Sequence, residues 1–575
     1  MAADIEKLRI KDERLKRVLE GEGFLVFDGG LGTMIQKAGL AGAANPPDLL
    51  NLTDPEAIEK IARAYVEAGS DVITTNTFSS NAMKLAGKAS VEEVYAAAAR
   101  IARSAGARYV AGDIGPTGVL IEPLGTLSFD DAYDLFAEQA RAADAAGCDL
   151  IVVETMADLR EAKAAVLAAT ENTDLPVFAT MTFSESGRTF LGTTPAIAAA
   201  SLSSMGVAAV GVNCSLGPDR LVDVVGEMSR FARCPVMAQP NAGLPRMVDG
   251  ETVYDIDPVA FAQSMEGIIA AGASIVGGCC GTSPDFIARL RSLVDGVQPK
   301  ARAWERSLTV ASAQSMVVMP ECCDDVAAVA DFIDMAGDED LAAALRAGDY
   351  DDIASEASDQ EEEGARILGV GACLPGVAEP EALRELIAEL QGMVSLPLRI
   401  DSRDPLAIEA AVRGCAGKPL VGPVDGRGER LEAMLSLVRA HGCCMIASPS
   451  DEDGVPAAAE DRLRIAERIV AAAEQAGVPR CDIVVDCSAG SEIGSRPEAD
   501  AAVRAVSLCK RRLGVRTTLA IPSEESGAFA CPDEAVGFLV SALEAGLDLP
   551  VFDLRSERYR EAVEALEAQK RSCAS

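Results

Sequence analysis

The chain has 575 residues, a formal net charge of −37 and a hydrophobic fraction of 49%. Its length predicts about two to four domains, and its charge argues against nucleic acid or an anionic membrane as a partner. It contains no apolar run of the roughly 18 residues that would span a bilayer. Residues 1–20 are charged throughout and lack the apolar segment of a secretory signal, so we expect a cytoplasmic protein.

The 16 cysteines and the single histidine restrict the chemistry. In a cytoplasmic protein the cysteines are expected to be thiols or metal ligands, not a disulfide framework. His441 is the only imidazole. Catalysis by a histidine acid or base, and a zinc site with several histidines, are therefore almost excluded.

Short apolar runs alternate with helical patterns between residues 22 and 297. Eight runs predict strands: "FLVFDGG", "DVITTNTF", "YVAGDIGP", "LIVVETM", "VFATMTF", "AAVGVNCS", "VMAQPNAG" and "SIVGGCCG". Apolar strands separated by helices indicate a parallel sheet covered by helices, and eight such units close a (β/α)₈ barrel. A doubly wound open sheet is the alternative, but no GxGxxG follows the first strand.

Seven of these eight runs end in polar residues or cysteines. They are Asp28, Asn76, Asp113, Glu154, Asn213–Cys214, Asn241 and Cys279–Cys280. A turn or a helix cap explains any one of them. The whole set is typical of a barrel, in which active sites lie at the carboxyl ends of the strands.

The second half of the chain predicts another barrel. After a first domain of residues 1–297 we expect a linker at 298–310 and a second domain at 311–575, with solvated acidic helices within 321–363. Its strands are "ARILGVGAC", "LPLRIDS", "PLVGPV", "CCMIAS", "CDIVVDCS", "RTTLAIPS" and "LPVFDL", with a first strand expected inside "SLTVASAQSMVVMP". The predicted fold class is therefore α/β, with two TIM-type (β/α)₈ barrels in tandem.

Cys214, Cys279 and Cys280 are candidate metal ligands, because the strands they end flank the same part of the barrel rim. Three thiolates at about 2.3 Å would fill three of the four tetrahedral positions of Zn²⁺ and leave the fourth open. A substrate thiol suits that position, since coordination deprotonates it while its sulfur stays nucleophilic. This pattern points to alkyl transfer to sulfur. The adjacent pairs Cys322–Cys323 and Cys443–Cys444 lack such a setting.

Motifs across residues 15–295 resemble the homocysteine-binding barrel of the cobalamin-dependent methionine synthase family and, more broadly, the zinc-dependent homocysteine S-methyltransferases. They are "DGGLGTMIQ", "TTNTFSSN", "GDIGPTG", "VVETMADLREAKAA", "GVNCSLGP", "QPNAGLP" and "GGCCGTSPDFI". The resemblance implies that the three cysteines hold zinc. It also implies that homocysteine is bound by Asp28, Gly29, Thr75 and Glu154, with Glu154 at its ammonium group.

The second half is similar in layout to the same family's methyltetrahydrofolate barrel, and Asp401 and Asp486 match its acidic positions. Other ligand positions do not match: they read Gly369-Val370-Gly371, Gly422-Pro423 and Ala520-Ile521-Pro522-Ser523. We therefore expect a vestigial site that binds methyltetrahydrofolate weakly or not at all. The alternative is a complete methyltetrahydrofolate-dependent module in which other side chains take these roles.

The family's corrinoid motif, Asp-x-His-x-x-Gly, is absent, because His441 lies in "RAHGCC". We expect methyl transfer to homocysteine, giving methionine, from a methylcorrinoid carried by a separate protein. A small donor such as S-methylmethionine or betaine is the alternative. The second half could also serve as a docking module for the corrinoid protein.

Overall fold

The computed structural model describes residues 5–40, 42–248, 251–321, 325–331, 339–489, 493–523 and 528–574. Cys322 and Cys323 lie outside these residues. The chain divides into two compact units, residues 1–305 and 306–575. None of the described helices has both the length and the apolarity needed to cross a bilayer.

Ten strands are described in the first unit. They are β1 (Leu25–Val26), β2 (Val72–Thr74), β3 (Tyr109–Ile114), β4 (Leu150–Met156), β5 (Val177–Met181), β6 (Ala209–Asn213), β7 (Val236–Gln239), β8 (Arg246–Val248), β9 (Glu251–Val253) and β10 (Ala273–Val276). Strands β8 and β9 form a separate antiparallel pair. The other eight are the predicted strands.

Twelve α-helices are described in the first unit. They are α1 (Glu13–Leu19), α2 (Leu31–Lys37), α3 (Leu50–Thr53), α4 (Pro55–Glu67), α5 (Ala82–Leu85), α6 (Val91–Ser104), α7 (Phe129–Ala145), α8 (Leu159–Asn172), α9 (Pro195–Ser204), α10 (Pro218–Phe231), α11 (Pro258–Ala271) and α12 (Pro284–Val294). Many begin at a side-chain cap, as α6 does at the Ser90–Glu93 capping box, which satisfies backbone N–H groups that the helix leaves unpaired.

The eight parallel strands form one sheet in the order β1-β10-β7-β6-β5-β4-β3-β2. The Asp71 N–H donates to the Val26 carbonyl at 2.7 Å, which joins the two edges of the sheet. At the amino ends of the strands α1 closes the interior, because Leu15, Val18 and Leu19 pack in one core with inward residues of the strands. The opposite, carboxyl ends therefore form the mouth of the barrel.

Ten strands are also described in the second unit. They are β11 (Ser307–Ala311), β12 (Met316–Pro320), β13 (Val329–Ala330), β14 (Ile367–Val370), β15 (Leu398–Asp401), β16 (Leu420–Val424), β17 (Cys444–Ala447), β18 (Ile483–Asp486), β19 (Arg516–Ala520) and β20 (Leu549–Phe552). Strands β13 to β20 form a closed barrel. Both predicted TIM-type barrels are thus confirmed.

The helices described in the second unit are α13 (Glu339–Ala347), α14 (Asp351–Glu362), α15 (Glu379–Met393), α16 (Pro405–Gly414), α17 (Gly428–His441), α18 (Ala459–Gln475), α19 (Arg496–Leu513), α20 (Pro532–Glu544) and α21 (Glu557–Ala574). The acidic helices α13 and α14 are not wholly solvated, since Ile353, Ala354 and Ala357 of α14 are buried in the core between the helices and the barrel.

The prediction for the first strand of the second barrel was wrong. Residues 307–320 form the antiparallel hairpin β11–β12, and the barrel begins instead at the two-residue strand β13. Leu308, Val310 and Val317 pack against the inward residues at the amino ends of the barrel strands. The apolar face of the hairpin thus covers the amino ends of the barrel strands. Its first strand, β11, lies partly in the predicted linker.

Candidate metal centre

Three cysteine thiols meet at the mouth of the first barrel. Cys214 follows β6 directly, and Cys279 and Cys280 follow β10 after two glycines. Because β7 lies between β6 and β10, the two strand ends are close in space. The three sulfur atoms lie within 4.8 Å of one another, and the Sγ atoms of Cys214 and Cys280 are 3.9 Å apart.

These distances fit a metal ion and not a disulfide. A disulfide needs sulfur atoms about 2.05 Å apart. Two thiolates bound at about 2.3 Å with a tetrahedral angle are about 3.8 Å apart. The Cys214–Cys280 separation of 3.9 Å agrees with the second geometry. The three half-buried cysteines could therefore hold a tetrahedral ion and leave one position for another ligand.

The thiols share charge unequally. Hydrogen bonds from Cys214 and Cys279 lower the pKa of Cys280, whereas the hydrogen bonds of Cys279 to Cys214 and Cys280 raise the pKa of Cys279. One thiolate is thus stabilised by two neighbouring S–H groups. Three thiolates at this spacing would repel one another strongly, and a bound cation offsets that repulsion.

The glycines beside the cysteines have two different roles. Gly281 has φ +83°, a conformation that residues with a side chain rarely adopt, and it allows the turn after Cys280. Gly277 and Gly278 are required for close packing instead. A Cβ on Gly277 would lie 2.8 Å from that of Phe27, and a Cβ on Gly278 would lie 2.5 Å from the Thr282 hydroxyl.

Asn213 connects the cysteines to Glu154 at the end of β4. Its amide nitrogen donates to the Glu154 carboxylate at 3.2 Å and to the Thr155 hydroxyl at 2.8 Å. It also lies 3.9 Å from the sulfur of Cys279. Its amide oxygen accepts from the Thr155 N–H and the Thr180 hydroxyl, each at 2.8 Å. The side chain is fully used, which fixes the position of Glu154 relative to the thiols.

Two buried carboxyl groups, Asp28 and Asp113, and the half-buried Glu154 lie near the cysteines without an ion pair in the described part of the chain. Burial raises the pKa of Asp28 to about 7 and that of Glu154 to about 8, and it raises the pKa of Asp113 as well. Buried acids stay protonated unless a cation compensates them. A ligand with an ammonium group would provide that cation.

Two family descriptions match the chain. Residues 25–294 match the homocysteine S-methyltransferase family, and residues 332–531 match the pterin-binding enzymes. The first match lies within the first unit, and the second match lies within the second unit. Both matches agree with the resemblance described from the sequence motifs.

The curated relatives are methionine synthases. The chain is 30% identical to that of Mycobacterium tuberculosis over 91% of this chain and 47% of that protein. It is also 30% identical to that of Mycobacterium leprae over 95% of this chain and 49% of that protein. The chain spans about half the length of these relatives. The homocysteine methyltransferase MmuM of Escherichia coli is 21% identical, with a TM-score of 0.42, and covers 48% of this chain and 99% of its own.

The first unit brings Asp28, Gly29 and Glu154 to the barrel mouth. Both carboxylate oxygens of Asp28 accept from Thr74, and a Cβ on Gly29 would lie 2.6 Å from the Thr282 hydroxyl. Thr75 is buried, and its hydroxyl bonds to Thr77 at 2.7 Å and accepts from the Asp113 N–H at 3.0 Å. The substrate contacts of these residues stay predictions.

One residue near the site was missed from the sequence, and another was marked only as a polar strand end. Tyr254, just after β9, packs on the cysteine turn, since a Cβ on Gly281 would lie 2.3 Å from its ring, and no strand pattern marks it. Asn241 is buried, and its amide oxygen has no hydrogen-bond partner among the described residues. The next residue, Ala242, donates its N–H to the Cys280 carbonyl at 2.9 Å. The sequence pattern marked Asn241 as a polar residue at a strand end, after β7, but gave it no separate role.

The second barrel has acidic groups at its own mouth. Asp401 ends β15 and Asp486 ends β18. Asp486 accepts from the N–H and the hydroxyl of Ser488 at 2.9 and 2.6 Å. Asp401 pairs with Arg399, whose Nε lies 2.8 Å from Oδ2. Both predicted acidic residues therefore lie at the carboxyl ends of barrel strands.

Proposed function

We propose that the first unit transfers a methyl group to the thiol of homocysteine, forming methionine, and that Cys214, Cys279 and Cys280 hold the zinc ion for this reaction. The observation that carries the proposal is the cluster of three thiols at the mouth of a homocysteine S-methyltransferase domain. Zinc held there would lower the pKa of the substrate thiol, so that homocysteine binds as a nucleophilic thiolate.

The rest of the pocket suits the amino acid end of homocysteine. Glu154 would accept from the ammonium group, since Asn213 holds this carboxylate beside the thiols and its burial favours a cationic partner. Asp28 and Gly29 lie on the loop that packs on the cysteine turn, where the Gly30 N–H donates to the Thr282 hydroxyl at 3.0 Å. The substrate would thus be held at both ends, with its sulfur facing the mouth.

The methyl donor in this proposal is a methylcorrinoid carried outside these 575 residues, on a corrinoid-binding protein. His441 is the only histidine, and it is 4% exposed at the end of α17. The carboxyl end of a helix in this fold lies away from the barrel mouth. A buried imidazole there is unsuited to bind a corrinoid that must reach the first unit's mouth.

We further propose that the second barrel binds methyltetrahydrofolate weakly or not at all. Gly369 on β14, Gly371 just after it and Gly422 on β16 replace residues with polar side chains in the resembling family. Glycine provides no side-chain group to orient a polar ring. The barrel would then support the first unit or dock the corrinoid protein.

The test is methionine formation by the purified, zinc-loaded chain from homocysteine and methylcobalamin. The same assay is run with methyltetrahydrofolate, S-methylmethionine and betaine as donors. Activity with methylcobalamin that is lost in Cys214→Ser and kept in Cys234→Ala supports the proposal, because Cys234 is buried before β7, away from the cluster. Activity with S-methylmethionine or betaine, and none with methylcobalamin, would refute the proposed donor.

A further inference from the structure

The interior of the second barrel contains an arginine and an aspartate on one strand, with a glycine on each neighbouring strand. Leu398 and Ile400 of β15 pack in the core under the helices. Successive side chains of a strand point to opposite faces, so Arg399 and Asp401 point into the barrel. In the strand register, Arg399 lies beside Gly369 of β14, and Asp401 lies beside Gly422 of β16. A glycine adds no side chain to the interior at either position.

The guanidinium of Arg399 is committed to the carboxylate of Asp401. One NH2 group donates to Oδ1 at 3.2 Å, and Nε lies 2.8 Å from Oδ2 as an ion pair without hydrogen-bond geometry. Burial by itself would lower the pKa of Arg399, but the charges of Asp401, Asp486 and Asp331 outweigh it and raise that pKa. One cation is thus held among three carboxylates at the barrel mouth.

We propose that Arg399 takes the place of a pterin in this barrel. A pterin presents a ring N–H beside an exocyclic amino group, and this pair of donors fits the two oxygens of a carboxylate. The guanidinium of Arg399 occupies the same two oxygens, with a hydrogen bond to Oδ1 and an ion pair to Oδ2. Arg399 therefore satisfies Asp401 from within the chain, so that this carboxylate is not available to a pterin. The inference rests on the proposed loss of folate binding and names the residue that enforces it.

A ligand that enters the barrel mouth can reach Arg399 and Asp401, so it would compete with Arg399 for the carboxylate of Asp401. The side chains of Arg399 and Asp401 are 16% and 35% exposed, so a ligand entering the mouth would reach both. To bind Asp401 it would have to displace the guanidinium and leave a cation without its closest partner in a confined site. Removing the arginine side chain should instead restore both the space and the free carboxylate.

The experiment titrates the full chain with 6-hydroxymethylpterin, followed by its fluorescence, and with methylguanidinium, followed by the melting temperature. We expect no binding to the wild type. Arg399→Ala should bind the pterin at least tenfold more tightly than the wild type does, and Arg399→Ala/Asp401→Asn should lose this gain. Arg399→Ser also vacates the guanidinium space and keeps a polar side chain, so it serves if the alanine variant does not fold. Methylguanidinium should raise the melting temperature of the variant and not that of the wild type.

The control is Arg516→Ala, which removes an arginine paired with Asp548 at the other end of the same barrel and should gain no pterin binding. If neither Arg399 variant gains a ligand while the wild type also binds none, the assignment of Arg399 is refuted and the proposed loss of folate binding stands. If the wild type binds the pterin as tightly as Arg399→Ala, both are refuted.

Discussion

The Sγ atoms of Cys214 and Cys280 lie 3.9 Å apart, although 66 residues separate them in sequence. Two strand ends that flank β7 bring them together, and Gly281 provides the turn that follows Cys280. Their separation matches two ligands of one tetrahedral ion. Several predictions of the site can be tested without knowing the methyl donor.

Cys214→Ser should reduce zinc binding by at least about tenfold, because the ion loses one of three thiolates and serine is a poor substitute ligand. Zinc content after dialysis against a chelator measures this. Cys234→Ala removes a buried thiol outside the cluster and should keep the wild-type zinc content. Equal zinc in wild type and Cys214→Ser would remove this cysteine from the site.

Glu154→Gln should raise the KM for homocysteine by about 10- to 100-fold, because a charge-assisted contact with the ammonium group becomes a neutral one. The zinc content should not change. Steady-state kinetics at saturating donor measure the effect. Glu171→Gln on the surface of α8 is the matched control and should leave KM as it is. An unchanged KM in Glu154→Gln would exclude the ammonium contact.

Asn213→Ala should lower the free energy of unfolding by about 1–3 kcal/mol, because the Thr155 N–H and the Thr180 hydroxyl lose their buried acceptor. Urea denaturation measures this loss. Asn172→Ala provides the comparison, since that half-buried asparagine at the end of α8 bonds partly to Tyr133 and to an exposed arginine. A larger loss in Asn172→Ala than in Asn213→Ala would contradict the role given to Asn213.

Gly29→Ala should destabilise the first unit by about 1–3 kcal/mol, because the added Cβ would lie 2.6 Å from the Thr282 hydroxyl and 3.0 Å from the Tyr65 ring. Gly32→Ala in α2 should stabilise it by about 0.5–1 kcal/mol, since its Cβ would meet nothing within 4 Å and alanine favours the helix. Melting temperatures of the two variants should therefore shift in opposite directions.

The ligand-free first unit should become less stable as the pH rises from about 4 to about 7. Asp28 keeps its proton in the folded state up to a pKa of about 7, whereas the unfolded chain releases it near 3.8. The folded state thus binds more protons across this window, and stability falls as they are lost, by up to about 4 kcal/mol for this group. Asp28→Asn should flatten the slope of unfolding free energy against pH. The same slope in both proteins would contradict the shifted pKa.

The positions of the cysteines could be predicted from the sequence, whereas the first strand of the second barrel could not. The cysteines follow apolar strands, and the next helices, α10 and α12, bury residues at helical spacing. The pattern of β6 and β10 therefore indicates where Cys214 and Cys280 lie. By contrast, β13 has two residues in a segment of alanines and aspartates, and its existence depends on pairing with β14 and β20. The segment of β11 and β12 is more apolar than that of β13, and its composition resembles a barrel strand. Its two strands nevertheless pair with each other in a hairpin.

Two side-chain contacts could not be predicted from the sequence, because they depend on where the side chains point in the folded barrels. Arg399 is visible in the sequence, but its commitment to Asp401 depends on strand register and on the neighbouring glycines Gly369 and Gly422. Tyr254 packs on Gly281 from a segment outside the barrel strands, and no local pattern encodes that tertiary contact. Local periodicity determines elements, whereas such contacts arise only when the elements pack.

The β11–β12 hairpin determines how the protein can be divided for separate production. Ala311 exchanges two backbone hydrogen bonds of 2.8 Å with Lys418, directly before β16, and Leu308 and Val310 seal apolar residues inside the barrel. A fragment starting at residue 311 would lose most of β11 and expose the barrel floor to water and to self-association. A C-terminal fragment should therefore start no later than Arg306, where the second unit begins.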